Sequence, residues 1–186
     1  MATRAQLEHA IRAATEIIQQ SSVLVIGSQS ILGTWGEDEL PPDATISIEF
    51  DVCPLDDDDA DSLATRLDGV AGEWSPFHEL HGFYVQGVGR QTAILPTGWS
   101  DRLVRVDNAN TNGRTGLCLE PHDLCVAKLL AGRTKDHRFV GALVSAGLVE
   151  RHVIAERLQD APRAEARARD LALDFLGSTT PPPRSR

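Results

Sequence analysis

Two different hydrophobic spacings follow one another in the first quarter of the chain. Apolar residues three and four positions apart predict an amphipathic helix over residues 4–20. The run Val23–Ile26, closed by Gly27, is short and rich in β-branched residues, which predicts a buried strand. Residues 31–35 then predict one or two helical turns, and residues 36–43, which contain two consecutive prolines, predict an irregular loop.

The clearest strand pattern lies over Thr45–Val52, where apolar and polar residues alternate. Phe50 and two isoleucines fall on one face, whereas Glu49 and Asp51 share the other. The pattern therefore predicts a strand with one face in the core and one polar face.

Beyond this strand, the pattern changes from strands to helices at Pro121. Short apolar segments separated by glycine and proline predict strands at 83–88, 92–95, 103–106 and 117–119. Helical spacing follows the acidic run Asp56–Asp59, and it returns at 122–131, 135–146, 149–159 and 163–176. This order predicts an α+β (α/β) fold, a mixed β-sheet flanked by helices with a C-terminal helical bundle. We expect an α/β core over 1–120, a helical part packed on it over 121–177, and a disordered tail over the proline-rich 178–186.

Composition and charge narrow the class of protein. No run of about eighteen apolar residues occurs, which predicts no membrane association. The three cysteines are an odd number without CxxC spacing, so we expect a reducing cytoplasmic location and neither a disulfide framework nor a zinc knuckle. The net charge of −9 is unevenly spread. Residues 1–120 hold 7 Arg, no Lys and 19 acidic residues, whereas 121–186 carry a net charge of +3, an asymmetry that can mark a nucleotide or nucleic-acid face.

Gly27 and Ser28 stand where the first strand ends and a helical turn begins. A glycine there lets a phosphate approach the backbone, and the serine hydroxyl and the N–H groups of the turn can donate to it. The same dipeptide also fits an ordinary strand-to-helix turn.

Glu49 and Asp51 project from the same strand face. Two carboxylates this close repel each other unless a cation lies between them, and Mg²⁺ with the phosphates of a nucleotide is the usual solution. A solvated edge strand produces the same pattern.

Two other groups of residues have simpler interpretations. His78 and His81 have a spacing that binds metal on a helix, but Gly82 follows at once and no third ligand is evident, which favours surface residues in a loop. Trp99 with Arg102 could stack on a base, although a tryptophan that anchors a turn against the core is the simpler interpretation.

The helical part contains a longer motif. Residues 123–130 carry Lys128, the next helix opens with Arg133-Thr134-Lys135-Asp136, and the segment 94–103 reads ILPTGWSDRL. Together with the Gly-Ser and Glu-x-Asp motifs, and in this order, these segments resemble the nucleotidyltransferase fold, in particular the AbiEii-like and related uncharacterised bacterial nucleotidyltransferases. The resemblance covers residues 20–150.

The resemblance implies an activity and a role for each matching residue. The protein would transfer a nucleoside monophosphate (NMP) from an NTP to an acceptor hydroxyl with Mg²⁺. The acceptor would be a tRNA end, and the protein would be the toxin of a toxin–antitoxin pair, restrained by a cognate antitoxin protein. The implied roles are Gly27 and Ser28 for the nucleotide triphosphate, Glu49 and Asp51 for Mg²⁺, Lys128 for the phosphates, and Asp136 for orienting a basic residue or the acceptor hydroxyl.

The sequence also departs from the family pattern. The first carboxylate belongs to Glu49, where aspartate is commoner, and the third carboxylate expected on a neighbouring strand is missing from residues 91–94. The alternative is therefore a catalytically degenerate module of the same fold that binds a nucleotide or a protein.

Overall fold

The computed structural model describes residues 1–55 and 59–179. The helices within this part of the chain are α1 (Arg4–Ile18), α2 (Pro42–Thr45), α3 (Ala60–Ala71), α4 (Pro76–His81), α5 (Pro121–Ala131), α6 (Thr134–Ser145), α7 (Arg151–Gln159) and α8 (Ala166–Ser178). The strands are β1 (Ser22–Val25), β2 (Glu49–Pro54), β3 (Tyr84–Gly87), β4 (Val104–Val106) and β5 (Thr115–Cys118). A six-residue 3₁₀ turn, Ser28–Gly33, follows β1.

The five strands form one mixed sheet in the order β3-β2-β1-β5-β4. The central strand β1 is antiparallel to β2 and parallel to β5. β2 pairs in parallel with the edge strand β3, and β4 lies antiparallel to β5 at the other edge. Helices pack on this sheet, and four helices, α5 to α8, follow one another from Pro121 onward. The structure therefore confirms the predicted fold class.

The helices divide into two groups by what they contact. α1 and α3 pack against the strands, and the apolar stripe of α1 that the sequence predicted is buried against them. α6, α7 and α8 pack on α5, which itself contacts the 3₁₀ turn after β1. α6 also contacts α2. The helical part is thereby held against the end of β1 and the start of β2.

The prediction of a strand over Thr45–Val52 is wrong at its first end. Thr45 ends the short helix α2, and Ile46 is 64% exposed, so the strand begins only at Glu49. Two consecutive prolines suggested an irregular loop, but Pro42 occupies the first helical position, where proline needs no N–H partner and its φ suits a helix.

Two further predictions of local structure are wrong. Residues 92–95 form no strand, because a 3₁₀ turn occupies Arg90–Thr92 and the apolar side chains after it pack on the core without strand pairing. The histidine segment is helical rather than a loop. Ser75 caps α4, and Gly82 ends it in the left-handed conformation, with φ of 70°.

The proline-rich C-terminal segment was predicted to be disordered. Of the predicted tail 178–186, Ser178 is the last residue of α8, and residues 180–186 lie outside the described residues. The acidic run before α3 also lies outside them, apart from Asp59.

None of the described helices is long and apolar enough to cross a membrane.

Candidate active site

The end of β1 meets the polar face of β2 at Gly27 and Asp51. In the antiparallel pair, Val25 lies opposite Val52, and the Ile26 N–H donates to the Asp51 carbonyl at 3.1 Å. A β-carbon added to Gly27 would lie only 1.6 Å from Asp51 Oδ2. The close approach expected at Gly27 is therefore made, in this structure, by the Asp51 carboxylate.

This contact predicts the effect of Gly27→Ala. The new methyl group cannot fit beside Asp51, so we expect the carboxylate to be displaced and the free energy of unfolding to fall by about 1–3 kcal/mol, the usual cost of overpacking. Urea denaturation of the variant measures this loss. Gly89→Ala is the matched control, because a β-carbon there meets nothing within 4 Å and φ is −80°. An equal loss in both variants would contradict the steric argument.

A pocket of about 480 Å³ opens beside Asp51. It lies between the 3₁₀ turn after β1, α2, the start of β2, and the facing sides of α5 and α6. The charged side chains that line it comprise four cations and four carboxylates: Lys128, Arg133, Lys135, Arg138, Asp43, Glu49, Asp51 and Asp136. Ser28 also lines it, so this pocket brings together every predicted site residue except Gly27.

Gly27 lies instead in a narrower cleft of about 100 Å³. Small apolar side chains, including Ala127 and Ala131, line most of this cleft. Three of its residues, Asp51, Lys128 and Arg133, also line the larger pocket, so the two spaces meet at these charged groups.

Lys128 is positioned by α5, which Glu120 caps and Gly132 ends with a left-handed φ of 67°. The lysine side chain is only 10% exposed, and its Nζ lies 3.5 Å from Asp136 Oδ1. Asp136, in the first turn of α6, also accepts a hydrogen bond of 2.6 Å from Arg133 Nε. One carboxylate thus holds two cations at the junction between the helices.

Burial and charge shift the ionisation of these groups. Burial, together with the nearby charge of Glu49, raises the pKa of Asp51 to about 6, although Lys128, Lys135 and Arg133 oppose part of the rise. Burial lowers the pKa of Lys128. The pKa of Asp136 falls below its ordinary value, because the hydrogen bond from Arg133 and the charge of Lys128 outweigh its burial. The negative charge of Asp51 is therefore costly in the free protein.

The strand beside β2 provides no third carboxylate. That neighbour is β3 rather than the predicted segment 92–95, and its residues level with Glu49 and Asp51 are Tyr84 and Gln86. Among the described residues, no group of three or more His, Cys, Asp or Glu side chains could hold a metal ion. A metal bound here would have two carboxylates as its protein ligands.

One protein-family model matches residues 5–173, and the family is described as a "Nucleotidyltransferase of unknown function (DUF6036)". The chain belongs to this family. The match confirms the nucleotidyltransferase part of the resemblance. No curated protein and no solved structure matches the chain.

Nine of the fourteen residues that line the larger pocket received no role from the sequence, among them Arg133, Lys135, Arg138 and Gln29. Arg133, Lys135 and Arg138 belonged to, or followed, the recognised motif but received no role, and Gln29 was not considered. A signal was available for Lys135 and Arg138, since residues three apart in a helix share a face. Nothing in the sequence distinguished Gln29 from any other residue in a turn.

Arg102 has a structural role instead of a place beside a base. Its guanidinium binds both carboxylate oxygens of Asp123, at 2.8 and 3.0 Å, at the start of α5. Trp99 packs partly buried against the core. The segment 94–103, part of the motif that suggested the family, therefore anchors the helix that carries Lys128.

Proposed function

We propose that this protein is a Mg²⁺-dependent nucleotidyltransferase that moves NMP from an NTP to an acceptor hydroxyl. The observation that carries the proposal is the pocket in which two strand carboxylates face four cationic side chains. Carboxylates suit a metal ion, and cations suit the phosphates that accompany it.

Glu49 and Asp51 are the residues that would hold Mg²⁺. They fit the ion because both offer hard oxygen ligands, and because a cation would relieve the repulsion between Glu49 and the partly buried Asp51 that, with burial, raises the pKa of Asp51. Two carboxylates with substrate phosphates are a common way to bind Mg²⁺ in proteins. Mg²⁺ bound there would neutralise charge on the phosphates during transfer.

The cations would position the triphosphate. Lys128 and Arg133 lie where the pocket and the narrow cleft meet, and Lys135 and Arg138 extend the positive charge along α6. Asp136 touches Lys128 and Arg133, so its proposed role is to orient these two cations. Gly27 and Ser28 would border the phosphates at the end of β1.

The narrow cleft is the proposed route of the acceptor hydroxyl. Its oxygen would bond to the α-phosphorus, the bond from that phosphorus to the β-phosphate oxygen would break, and pyrophosphate would leave while the hydroxyl proton passes to water. In-line displacement requires nucleophile and leaving group on opposite sides of the phosphorus, and in this proposal they would occupy the two spaces that meet at Asp51 and Lys128. Positioning and charge neutralisation would supply most of the catalysis.

The motif resemblance extends the proposal to an AbiEii-like toxin. On this reading the acceptor is a tRNA end in the bacterial cytoplasm, and a cognate antitoxin restrains the enzyme. The net charge of +3 over residues 121–186, to which Arg184 and Arg186 contribute two charges, is the sequence feature that favours a tRNA partner.

A second candidate function is a catalytically degenerate module that binds a nucleotide or a protein. The observation that favours it is the position of Tyr84 and Gln86, where a third carboxylate would lie on β3.

Calorimetry of each NTP with and without Mg²⁺, followed by a pyrophosphate-release assay with labelled tRNA, tests the two candidates. The transferase predicts Mg²⁺-dependent binding, and it predicts pyrophosphate and labelled product in equal amounts. Binding that ignores Mg²⁺ and yields no pyrophosphate would support the degenerate module. If no NTP binds under any condition, both nucleotide-based functions are wrong.

A further inference from the structure

Gln29 is an unusual residue within the larger pocket. Its side chain is fully buried, and neither its Oε1 nor its Nε2 has a hydrogen-bond partner among the described residues. Most buried polar side chains in proteins are hydrogen-bonded, because an unpaired donor or acceptor loses its water without compensation. An unsatisfied buried carboxamide is therefore a candidate for a group that is kept for a ligand.

The position of Gln29 in the pocket indicates which ligand its carboxamide would contact. The residue directly follows Ser28 and lines the same pocket as Lys128 and Arg133, the cations proposed for the phosphates. Because its side chain is completely buried, contact between a ligand and the carboxamide requires a side chain at this wall of the pocket to move.

The remaining walls suit the base of a nucleotide. Ala44, Ile46 and Phe139 provide apolar surface, and Asp43 and Ser47 provide oxygen acceptors. A nucleobase has apolar faces and a polar edge, and a carboxamide can pair with such an edge through one donor and one acceptor at once.

We propose that Gln29 selects the base of the bound nucleotide, and that this base is adenine; the inference rests on the proposed nucleotidyl transfer. Adenine presents its amino group beside a ring-nitrogen acceptor on two different edges, so a carboxamide can pair with it in two orientations. The Asp43 carboxylate only accepts hydrogen bonds, so it favours the amino group of adenine over the carbonyl oxygen that guanine and uracil carry at the same ring position; the Ser47 hydroxyl can pair with either group. Cytosine, which offers an amino group and a ring nitrogen on one edge only, is the nearest competitor.

Gln29→Met tests the proposal, because methionine has a similar shape and no strong hydrogen-bonding group. We expect wild type to bind ATP more tightly than GTP, CTP or UTP. In the variant, ATP affinity should fall about tenfold or more, the effect of losing a bidentate contact to a base, while affinity for the other three changes little. The variant should also melt at a higher temperature than wild type, because an unsatisfied buried group has been replaced by an apolar one.

A substrate analogue tests the same contact without relying on the variant. Purine riboside triphosphate is ATP without its 6-amino group, and it should bind wild type about tenfold or more weakly than ATP. The two losses should not add when the analogue is titrated into Gln29→Met, because both remove one interaction.

Ser30→Ala is the matched control. Ser30 is buried beside Gln29, its hydroxyl also has no partner among the described residues, and it does not line the pocket. We expect this variant to keep wild-type stability or exceed it, with unchanged preference among the four NTPs.

Several results would overturn the inference while leaving nucleotidyl transfer intact. These are equal binding of all four NTPs by wild type, a preference for another base, an ATP preference that survives Gln29→Met, and additive losses in the analogue experiment. A lower melting temperature of Gln29→Met would mean that the fold already satisfies the carboxamide. Failure of wild type to bind any NTP would instead refute the proposed function, and the inference with it.

Discussion

The Asp51→Asn variant is expected to lose nucleotidyl transfer and, in metal-free buffer, to unfold less readily than wild type. The activity should fall by about 10²–10³-fold or more, because the change removes a charge that the proposed site uses to hold Mg²⁺ and stabilise the transition state. The stability should rise because burial makes the Asp51 charge costly in the free protein. A pKa raised from 3.8 to about 6 corresponds to about 3 kcal/mol at pH 8.

The difference in stability between wild type and Asp51→Asn should depend on pH. Below about pH 4 the Asp51 carboxyl is protonated in both the folded and the unfolded protein, so the variant gains nothing. Between pH 4 and 6 the unfolded chain ionises first, and wild type loses stability relative to the variant. Above pH 6 the difference should stay constant. Denaturant unfolding of both proteins from pH 4 to 8, in chelator, measures it.

The control for this experiment is Asp38→Asn, the same change at an exposed carboxylate. It should alter neither the activity nor the pH profile.

If the protein is a toxin, growth arrest on expression should depend on Asp51 and Lys128. Unchanged NTP turnover in Asp51→Asn would remove β2 from the active site, and a loss of stability at pH 8 would contradict the electrostatic argument.

Asp123→Ala is expected to cause the largest loss of stability, about 3 kcal/mol or more. Its carboxylate is fully buried between Arg102, which binds both oxygens, and Arg157, whose Nη1 lies 2.8 Å from Oδ1. Removing it leaves the partly buried guanidinium of Arg102 without a carboxylate hydrogen-bond partner, whereas Arg157 keeps its ion pair with Glu120. Breaking a buried ion pair in this way costs about 3–5 kcal/mol. Because α5 also carries Lys128, nucleotide affinity should fall in the same variant.

Chemical denaturation measures this loss, and Asp101→Ala is its control. Asp101 is an exposed neighbour of Arg102, so its removal should change stability by less than about 0.5 kcal/mol. Equal effects of the two variants would mean that the Asp123 pairs are no stronger than surface charge interactions.

The sequence predicted elements well where one local signal decides the structure. The helix α1 runs from Arg4 to Ile18, close to the predicted bounds, because its apolar stripe and the Thr3–Gln6 capping box agree. Prediction from the sequence failed where two local signals conflict. Thr45–Ile48 has strand alternation, but the helix that Pro42 begins takes the first of these residues, and Ile46 stays exposed.

The candidate site shows the same division. The strand period of two placed Glu49 and Asp51 on one face, and the motif order suggested that Lys128 and Asp136 belong with them. The spacing could not reveal that Asp136 holds Lys128 and Arg133 together, because that contact joins two helices. It also could not reveal that Gly27 makes room for the Asp51 carboxylate.

By itself, the sequence determined the mixed α and β composition, the polar face of β2 and the nucleotidyltransferase resemblance, because helical period, strand period and short motifs are properties of residues close together in the chain. Only the tertiary structure decided which strand lies beside β2, how the cations of α5 and α6 meet the carboxylates, and that Gln29 is buried without a partner. These features depend on contacts between residues far apart in the chain. Burial and electrostatic contacts join groups that are close in space, so they form only once the helical part has packed on the sheet.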